Sequence, residues 1–228
     1  MVRRIIVITG TDTDAGKTVL TALLAQYLRA QGRSVAALKP VCSGGRADAR
    51  VLQRALGGAL SLDEINPWHF RAPLAPLLAA RRERQRVGLE EVVAHVQSVD
   101  GRFETVLVEG AGGLLSPLGE GFSTRELILA LDAEVLIAVQ NQLGVVNQVR
   151  LTLEALPLRI AARARVVLMA PGRHTAASRA NPKLLAEFTG AARVSLLPYF
   201  HDVGNHHQAL GRVRVRRVLG ALFADSET

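Results

Sequence analysis

Gly10-Thr11-Asp12-Thr13-Asp14-Ala15-Gly16-Lys17-Thr18 follows the apolar run Ile5-Ile6-Val7-Ile8 almost without a break and leads into a helix-like segment over Val19 to Ala30. The stretch reads as strand, glycine-bounded loop, helix. Such a loop turns free backbone N–H groups and the positive end of a helix toward an anion, while its lysine neutralises terminal phosphates and the next hydroxyl reaches Mg2+. The plain pattern G-x-x-x-x-G-K-[ST] has four residues between its glycines; five separate Gly10 from Gly16, so this loop is one residue longer. An ordinary glycine-rich turn is the structural alternative, and the flanking strand and helix weigh against it.

Lysine usage points to the same place. The chain has 28 basic residues, of which only three are lysines, Lys17, Lys39 and Lys183. Arginine is the background choice, so Lys17 and Lys39 mark positions where a compact, mobile point charge serves better than a planar fork.

The chain of 228 residues suits one α/β domain, spanning 1–228, with ample sequence for a large core. Ala, Val and Leu dominate over aromatics, as expected of strands covered by helices on both faces. No apolar run reaches membrane-spanning length, and no signal-peptide layout precedes the first strand, so a cytoplasmic location is expected. The one cysteine, Cys42, fits a reducing compartment and forms no disulfide within the chain. A net charge of +8 is compatible with nucleic acid, but the arginines are scattered and few aromatics interleave them. Acidic small molecules are the expected partners, with neither nucleic acid nor membrane.

Apolar β-type runs at Ile5 to Thr9, Ser34 to Leu38, Thr105 to Val108, Val135 to Val139, Val166 to Met169 and Val194 to Leu197 alternate with helix-like stretches. The helices are predicted near 19 to 30, 47 to 56, 74 to 82, 89 to 98, 124 to 131, 145 to 156, 183 to 188 and 209 to 223. This alternation predicts a P-loop NTPase-like, doubly wound, mostly parallel sheet with helices on both faces. Ligands bind at the carboxyl ends of such strands, which makes each strand's last residue and following loop a candidate. Strand one ends in the phosphate loop, strand two in Lys39-Pro40-Val41-Cys42-Ser43-Gly44-Gly45, and strand three in Glu109-Gly110-Ala111-Gly112-Gly113. Strand four leads to Gln140-Asn141-Gln142-Leu143-Gly144-Val145-Val146-Asn147.

Glu109 closes an apolar run that would carry its carboxylate from a buried strand to the phosphates, where a Mg2+ ligand belongs. Asp48 is either a second ligand or the N-terminal acid of the next helix. Cys42 reads as a packing residue beside the site. The histidines, His206 and His207 included, lack ligand spacing, so no zinc site is expected.

Taken in order, G-T-D-T-D-A-G-K-T at 10 to 18, K-P-V-C-S-G at 39 to 44, V-L-V-E-G-A-G-G at 106 to 113 and L-G-V-V-N-Q at 143 to 148 resemble the dethiobiotin synthetase family of the biotin pathway. The likeness runs over roughly 3 to 160, and Asn66-Pro67 and the Pro73 to Ala80 segment fall in place with it. The long phosphate loop is that family's own form. The resemblance implies an ATP- and Mg2+-dependent ligase that joins CO2 to 7,8-diaminopelargonate and closes the cyclic urea of dethiobiotin. An amine takes up CO2 as a carbamate, the carbamate attacks the γ-phosphate of ATP, and the second amine displaces phosphate from the mixed anhydride. Bringing anionic carbamate and triphosphate together demands fixed positive charge.

By matching motif positions, the resemblance makes Lys39, Lys17 and Thr13 catalytic. It assigns nucleotide binding to Gly10, Thr11, Asp12, Thr13, Asp14, Ala15, Gly16, Lys17 and Thr18, with Glu109, Gly110, Gly112 and Gly113. Thr18, Asp48 and Glu109 would hold the metal. Thr13, Asp14, Lys39, Ser43, Gly110, Ala111 and Gly112 would meet the substrate, the glycines leaving room for the flat diamine. The neighbouring subunit of a homodimer would hold the distant carboxylate on the helix start Gly144, Val145 and Asn147.

One departure is plain. The family commonly carries an Asn-Asp pair after the fifth strand to read adenine, whereas Leu168-Met169-Ala170-Pro171-Gly172-Arg173 offers no side-chain amide. The alternative function is a partitioning or cell-division ATPase switch on membrane or DNA, supported by the basic amphipathic segment Leu210 to Phe223. That class resembles itself in a second lysine early in the loop, and positions 11 to 15 contain none. A cobalamin-type amidotransferase synthetase would need a glutaminase domain that 228 residues do not accommodate.

Overall fold

The computed structural model describes residues 4–200 and 209–224. In chain order the strands are β1 (Arg4–Gly10), β2 (Val35–Leu38), β3 (Val41–Ser43), β4 (Trp68–Phe70), β5 (Thr105–Glu109), β6 (Pro117–Gly119), β7 (Phe122–Ser123), β8 (Glu134–Gln140), β9 (Arg165–Met169) and β10 (Val194–Leu197). The helices are α1 (Lys17–Ala30), α2 (Ala47–Ala55), α3 (Leu62–Ile65), α4 (Pro76–Arg82), α5 (Leu89–Asp100), α6 (Thr124–Leu131), α7 (Val145–Glu154), α8 (Leu158–Ala161), α9 (Ala176–Thr189) and α10 (Val213–Ala224).

Six strands form one parallel sheet in the order β10-β9-β8-β1-β5-β2, with helices on both sides. All six are the strands predicted from the apolar runs. From β1 the chain crosses through α1 to β2 at the sheet edge, returns to β5 in the gap, and then passes to β8 on the far side of β1. The winding therefore reverses at β1, and a crevice opens at the carboxyl ends of β1, β5 and β8. Burial explains why the central strands are apolar through their middles: Val7 and Ile8 in β1, Leu107 and Val108 in β5, and Ile137 and Val139 in β8 are sealed from water. On α1, Leu20, Leu23, Leu24 and Leu28 repeat at helical spacing and bury their side of the helix on the sheet.

Two helices depart from the sequence reading. Helix α9 begins at Ala176 rather than at 183, and carries Pro182 inside it. A proline there removes the bond to the carbonyl of Ser178, a defect that normally breaks the helix. Here Asn141 Nδ2 donates to the Ser178 carbonyl at 2.8 Å, and Asn181 Nδ2 donates to Asn141 Oδ1 at 2.9 Å, so the loss is made good from the end of β8. Thr175 caps the helix with a reciprocal Ser178 bond. The helix predicted over 209 to 223 is interrupted: Ala209 and Leu210 are helical, the chain turns at Gly211 and Arg212, and α10 runs from Val213.

The apolar side of α10, Val215, Leu219 and Leu222, is buried in the core. Its amphipathicity is that of a packed terminal helix. Among the described residues no helix is long and apolar enough to cross a membrane. His206 and His207 lie outside the described residues; among those described, no group of three His, Cys, Asp or Glu side chains gathers as a metal cluster.

Candidate active site

A cleft of about 710 Å³ opens at the reversal of winding. Its floor is Thr13, Asp14, Gly16, Lys17 and Thr18 from the loop after β1, Lys39 from the end of β2, and Glu109, Ala111 and Gly112 from the end of β5. Cys42, Ser43, Asp48, Val51, Pro73, Leu74, Ala75 and Pro76 make the facing wall, with Ser116 and Gln140 at its margins. Most residues expected at the site thus come together, from segments nearly one hundred positions apart.

The loop takes its path from two backbone conformations. Gly16, which precedes the first residue of α1, has φ 93°, and a Cβ placed there would lie 2.7 Å from Met169 Cγ at the end of β9. Only glycine satisfies both the left-handed backbone and that close approach. Asp14 is also left-handed, at φ 55°, and Gln140 Nε2 steadies it by donating to the Asp14 carbonyl at 2.9 Å. Thr13 and Asp14 are exposed at the cleft, whereas Ala15 is buried. Lys17 Nζ donates to the Asp12 carbonyl at 2.7 Å, which folds the lysine back across its own loop. Burial first, and then the charge of Lys39, push the Lys17 ammonium down to about 8.

Around Glu109 the polar groups converge. Thr18 Oγ1 donates to Glu109 Oε1 at 2.6 Å, and Lys39 Nζ donates to the same oxygen at 2.7 Å. Asp48 Oδ2 lies 3.1 Å from Lys39 Nζ, so the ammonium bridges a buried carboxylate and one whose side chain is 50% exposed. Burial works to lower the Lys39 value, but the two carboxylates, Glu109 foremost, outweigh it and hold the ammonium above the ordinary lysine range. Lys39 is therefore a permanent cation at any physiological pH. Asp48 stands in the first turn of α2, the second of its two sequence readings, and its carboxylate lines the cleft beside Lys39. Glu109 Oε2 is buried without a hydrogen-bond partner.

Ser43 lines the cleft, with its hydroxyl donating to the Leu74 carbonyl at 2.5 Å. Cys42 is buried beside it, and burial pushes its thiol up. The glycines after β5 have neighbours within the chain. A Cβ on Gly110 would fall 2.6 Å from Thr124 Oγ1, one on Gly113 3.0 Å from the Thr11 carbonyl, and one on Gly112 against Ser116 Oγ. Close packing thus disfavours a side chain at each, most at Gly110, and at Gly112 the left-handed backbone adds to it. Gly144, Val145 and Asn147 do not line the cleft of their own chain; Gly144 and Asn147 are exposed and Val145 is in the core.

Sequence reasoning passed over Gln140's hold on the loop and the apolar wall of Val51, Pro73, Leu74 and Pro76. Gln140 was visible as a strand-end residue. Val51 stands on α2, Pro76 opens α4, and Pro73 and Leu74 lie in the turn before it, so the wall takes shape only when these separate segments are packed together.

Fold and cleft together define a P-loop nucleotide-binding enzyme. A family model described as an AAA domain matches residues 4–207. Over 216 residues the chain is 38% identical to the ATP-dependent dethiobiotin synthetase of Anaeromyxobacter dehalogenans (strain 2CP-C), an alignment covering 92% of this chain and 97% of that one. It is 33% identical to the Bacillus licheniformis enzyme of the same name, covering 96% and 97%, and 39% identical to that of Rhodococcus erythropolis, covering 85% and 88%. The chain belongs to the ATP-dependent dethiobiotin synthetase family. A solved MinC:MinD cell division protein complex of Aquifex aeolicus matches with a TM-score of 0.59 at 14% identity, covering 96% of this chain and 93% of that one, which shows the shared fold alone.

Proposed function

We propose that this chain closes the cyclic urea of dethiobiotin from 7,8-diaminopelargonate, CO2 and ATP. The observation that carries the reading is the convergence of Thr18 and Lys39 on Glu109 at the foot of the phosphate loop, with Asp48 on the other side of the Lys39 ammonium. Family membership supplies the ATP-dependent ligase activity; the residue roles that follow are those the resemblance implies, set beside the geometry of the cleft.

The loop from Gly10 to Lys17 holds the triphosphate on its backbone N–H groups and the start of α1, with Lys17 moving from the Asp12 carbonyl to the phosphate oxygens. Lys39 is the fixed positive charge against which a carbamate and the γ-phosphate meet; because its proton does not leave, it orients and neutralises rather than acting as a base. Thr13 sits at the mouth of the loop, in reach of the same anions, and Asp14 presents a carboxylate toward the substrate amines. Gly110, Ala111 and Gly112 form the floor below. The wall of Val51, Pro73, Leu74 and Pro76 offers apolar surface to an aliphatic chain.

Mg2+ fits the donor set. Thr18, Asp48 and Glu109 are hard oxygen ligands, and the unpartnered Glu109 Oε2 is a buried acceptor in want of a cation. Those three side chains would hold the ion. When bound, the ion would neutralise charge on the phosphates.

The chain also exposes Leu143, Leu151 and Leu158 at or beside α7 and α8. A second copy would cover them and would bring its Gly144, Val145 and Asn147 to the far end of the substrate, backbone N–H groups at a helix start suiting a carboxylate.

The test follows phosphate release and, by mass spectrometry, dethiobiotin. Product that requires ATP, Mg2+, bicarbonate and the diamine together supports the reading. Slow ATP hydrolysis indifferent to the diamine overturns it.

A further inference from the structure

Asn66 is fully buried and takes no part in the cleft, yet every polar atom of its side chain is engaged with the segments that carry the site. Its Nδ2 donates to the Lys39 carbonyl at 2.7 Å and leans on those of Pro40 and Trp68, each at 3.4 Å. Its Oδ1 accepts from Arg46 Nε at 3.3 Å and from Cys42 Sγ at 3.2 Å. All three neighbours of the nitrogen are carbonyls and both neighbours of the oxygen are donors, so the orientation of the amide is fixed by its partners.

Arg46 extends the hold. It stands immediately before α2, and one guanidinium nitrogen donates to the Leu62 carbonyl at 2.6 Å and to the Asn66 carbonyl at 2.9 Å, while another meets Asp63 at 2.7 Å. The backbone joins in: Lys39 N donates to the Ile65 carbonyl at 2.9 Å, and Trp68 N to the Pro40 carbonyl at 3.1 Å. Residues 65–68 are thereby strapped across the turn that bears Lys39. On the other arm, Arg46 sets the first turn of α2, which bears Asp48.

We infer that Asn66 is the positioning residue of the site: a single amide that fixes Lys39 and, through Arg46, Asp48 in one frame, so that the ammonium stays between its two carboxylates. This rests on the reading of Lys39 as the cation of the ligase reaction. Lys39 has a long, rotatable stem, and nothing else in its own strand holds its backbone beyond Leu38, the last residue of β2. A misplacement on the order of 1 Å of such a group costs about a hundredfold in rate.

The test uses the full chain. Asn66→Asp keeps the shape and the Arg46 partner but removes the donor to the Lys39 carbonyl. The expected result is a fall in kcat of about thirtyfold to a hundredfold at temperatures well below Tm, with KM for ATP and for the diamine within about threefold of wild type. In a Lys39→Ala background the same substitution should lower the residual rate, read by mass spectrometry, by less than about twofold, because coupled residues do not add. Arg46→Gln, on the more accessible arm, serves if the first variant does not fold, and should lower kcat by about threefold to tenfold, again without moving KM for ATP or for the diamine. A loss that tracks Tm alone, or one that adds fully to Lys39→Ala, overturns the inference and leaves Asn66 a structural residue. Wild-type protein that makes no dethiobiotin fails the functional reading instead, so the two outcomes are distinct.

Discussion

Lys39 and Glu109 meet at 2.7 Å because their strands are in register: β2 and β5 are adjacent and parallel, with Leu38 beside Val108, so the next residue of each strand falls beside the other. Both side chains are buried, Glu109 as the last residue of β5 and Lys39 in the turn just past β2. A buried pair adds little net stability, but removal of one partner strands the other. Lys39→Ala leaves Glu109 with Thr18 as its partner. The expected outcome is a loss of turnover of at least about a hundredfold, with the fold retained by circular dichroism. An unaffected rate would remove Lys39 from the chemistry.

Glu109→Gln keeps the bulk and the Thr18 contact but deletes the charge that answers Lys39. The ligase rate should then require about tenfold more Mg2+ for half-saturation, while KM for the diamine changes by less than about threefold. The magnesium titration decides; equal shifts in both would mean that Glu109 acts on the substrate rather than on the metal.

Much of this floor was readable from the chain. The phosphate loop, Lys39 and Glu109 each end an apolar run, and in a doubly wound sheet strand ends converge. What the sequence did not disclose lies off the main sheet. The mini-strands β3 and β4 are too short for any periodicity, and α9 looked broken at Pro182 because its repair comes from Asn141, far away in sequence. Asp48 was ambiguous for a similar reason: a first-turn acid and a cleft carboxylate look alike until α2 is placed.

Lys17 carries the pH dependence. Its folded value of about 8 lies below the unfolded value of 10.5, so the charged form is disfavoured by folding. The folded state sheds this proton first as pH rises, and the stability cost, full below about 8, is relieved between about 8 and 10.5. Lys17→Met should therefore be more stable than wild type at pH 7, with the difference in Tm shrinking toward pH 10. Affinity for ATP follows the opposite course: the phosphates need the charged lysine, so Kd should rise above pH 8 by up to about tenfold per unit. Calorimetric titration across pH 7 to 10 is the check, and a flat profile equal to that of Lys17→Met would sink the assignment.

Gly16→Ala should be among the most damaging single changes in the loop. The left-handed backbone costs about 1 to 2 kcal/mol for alanine, and the new Cβ would press on Met169 at 2.7 Å. Met169→Ala relieves only the second of these. Denaturant unfolding should show the double variant more stable than the sum of the two single changes predicts, by about 1 kcal/mol. Simple additivity would mean that the loop shifts away from β9.

Ala170 to Arg173 offers no side-chain amide to a nucleotide base, and the Ala170 N–H is already committed to the Leu197 carbonyl. Base reading by hydrogen bonds from this turn is correspondingly weak, and a site lacking such bonds discriminates poorly among analogues. Rates of dethiobiotin formation with CTP and GTP should lie within about tenfold of that with ATP. A preference for ATP of a thousandfold would place the adenine contact elsewhere in the chain.

The exposed leucines bear on assembly. Leu143 is 86% and Leu151 62% exposed, at the start and along the outer side of α7, and Phe188 on the neighbouring α9 is half-exposed with the Arg150 guanidinium 4.6 Å above its ring. A patch of this kind on a helix whose first turn is proposed to hold a partner's substrate argues that the two properties belong to one interface. Light scattering at assay concentration should give twice the monomer mass. Leu151→Asp buries a charge in that interface and should shift the protein toward monomer. Its KM for the diamine should rise by about tenfold, equivalent to about 1.4 kcal/mol, while KM for ATP, held within one chain, stays within about twofold. A monomer that ligates the diamine with unchanged KM would detach the Gly144 to Asn147 segment from substrate binding and leave the leucines without this role.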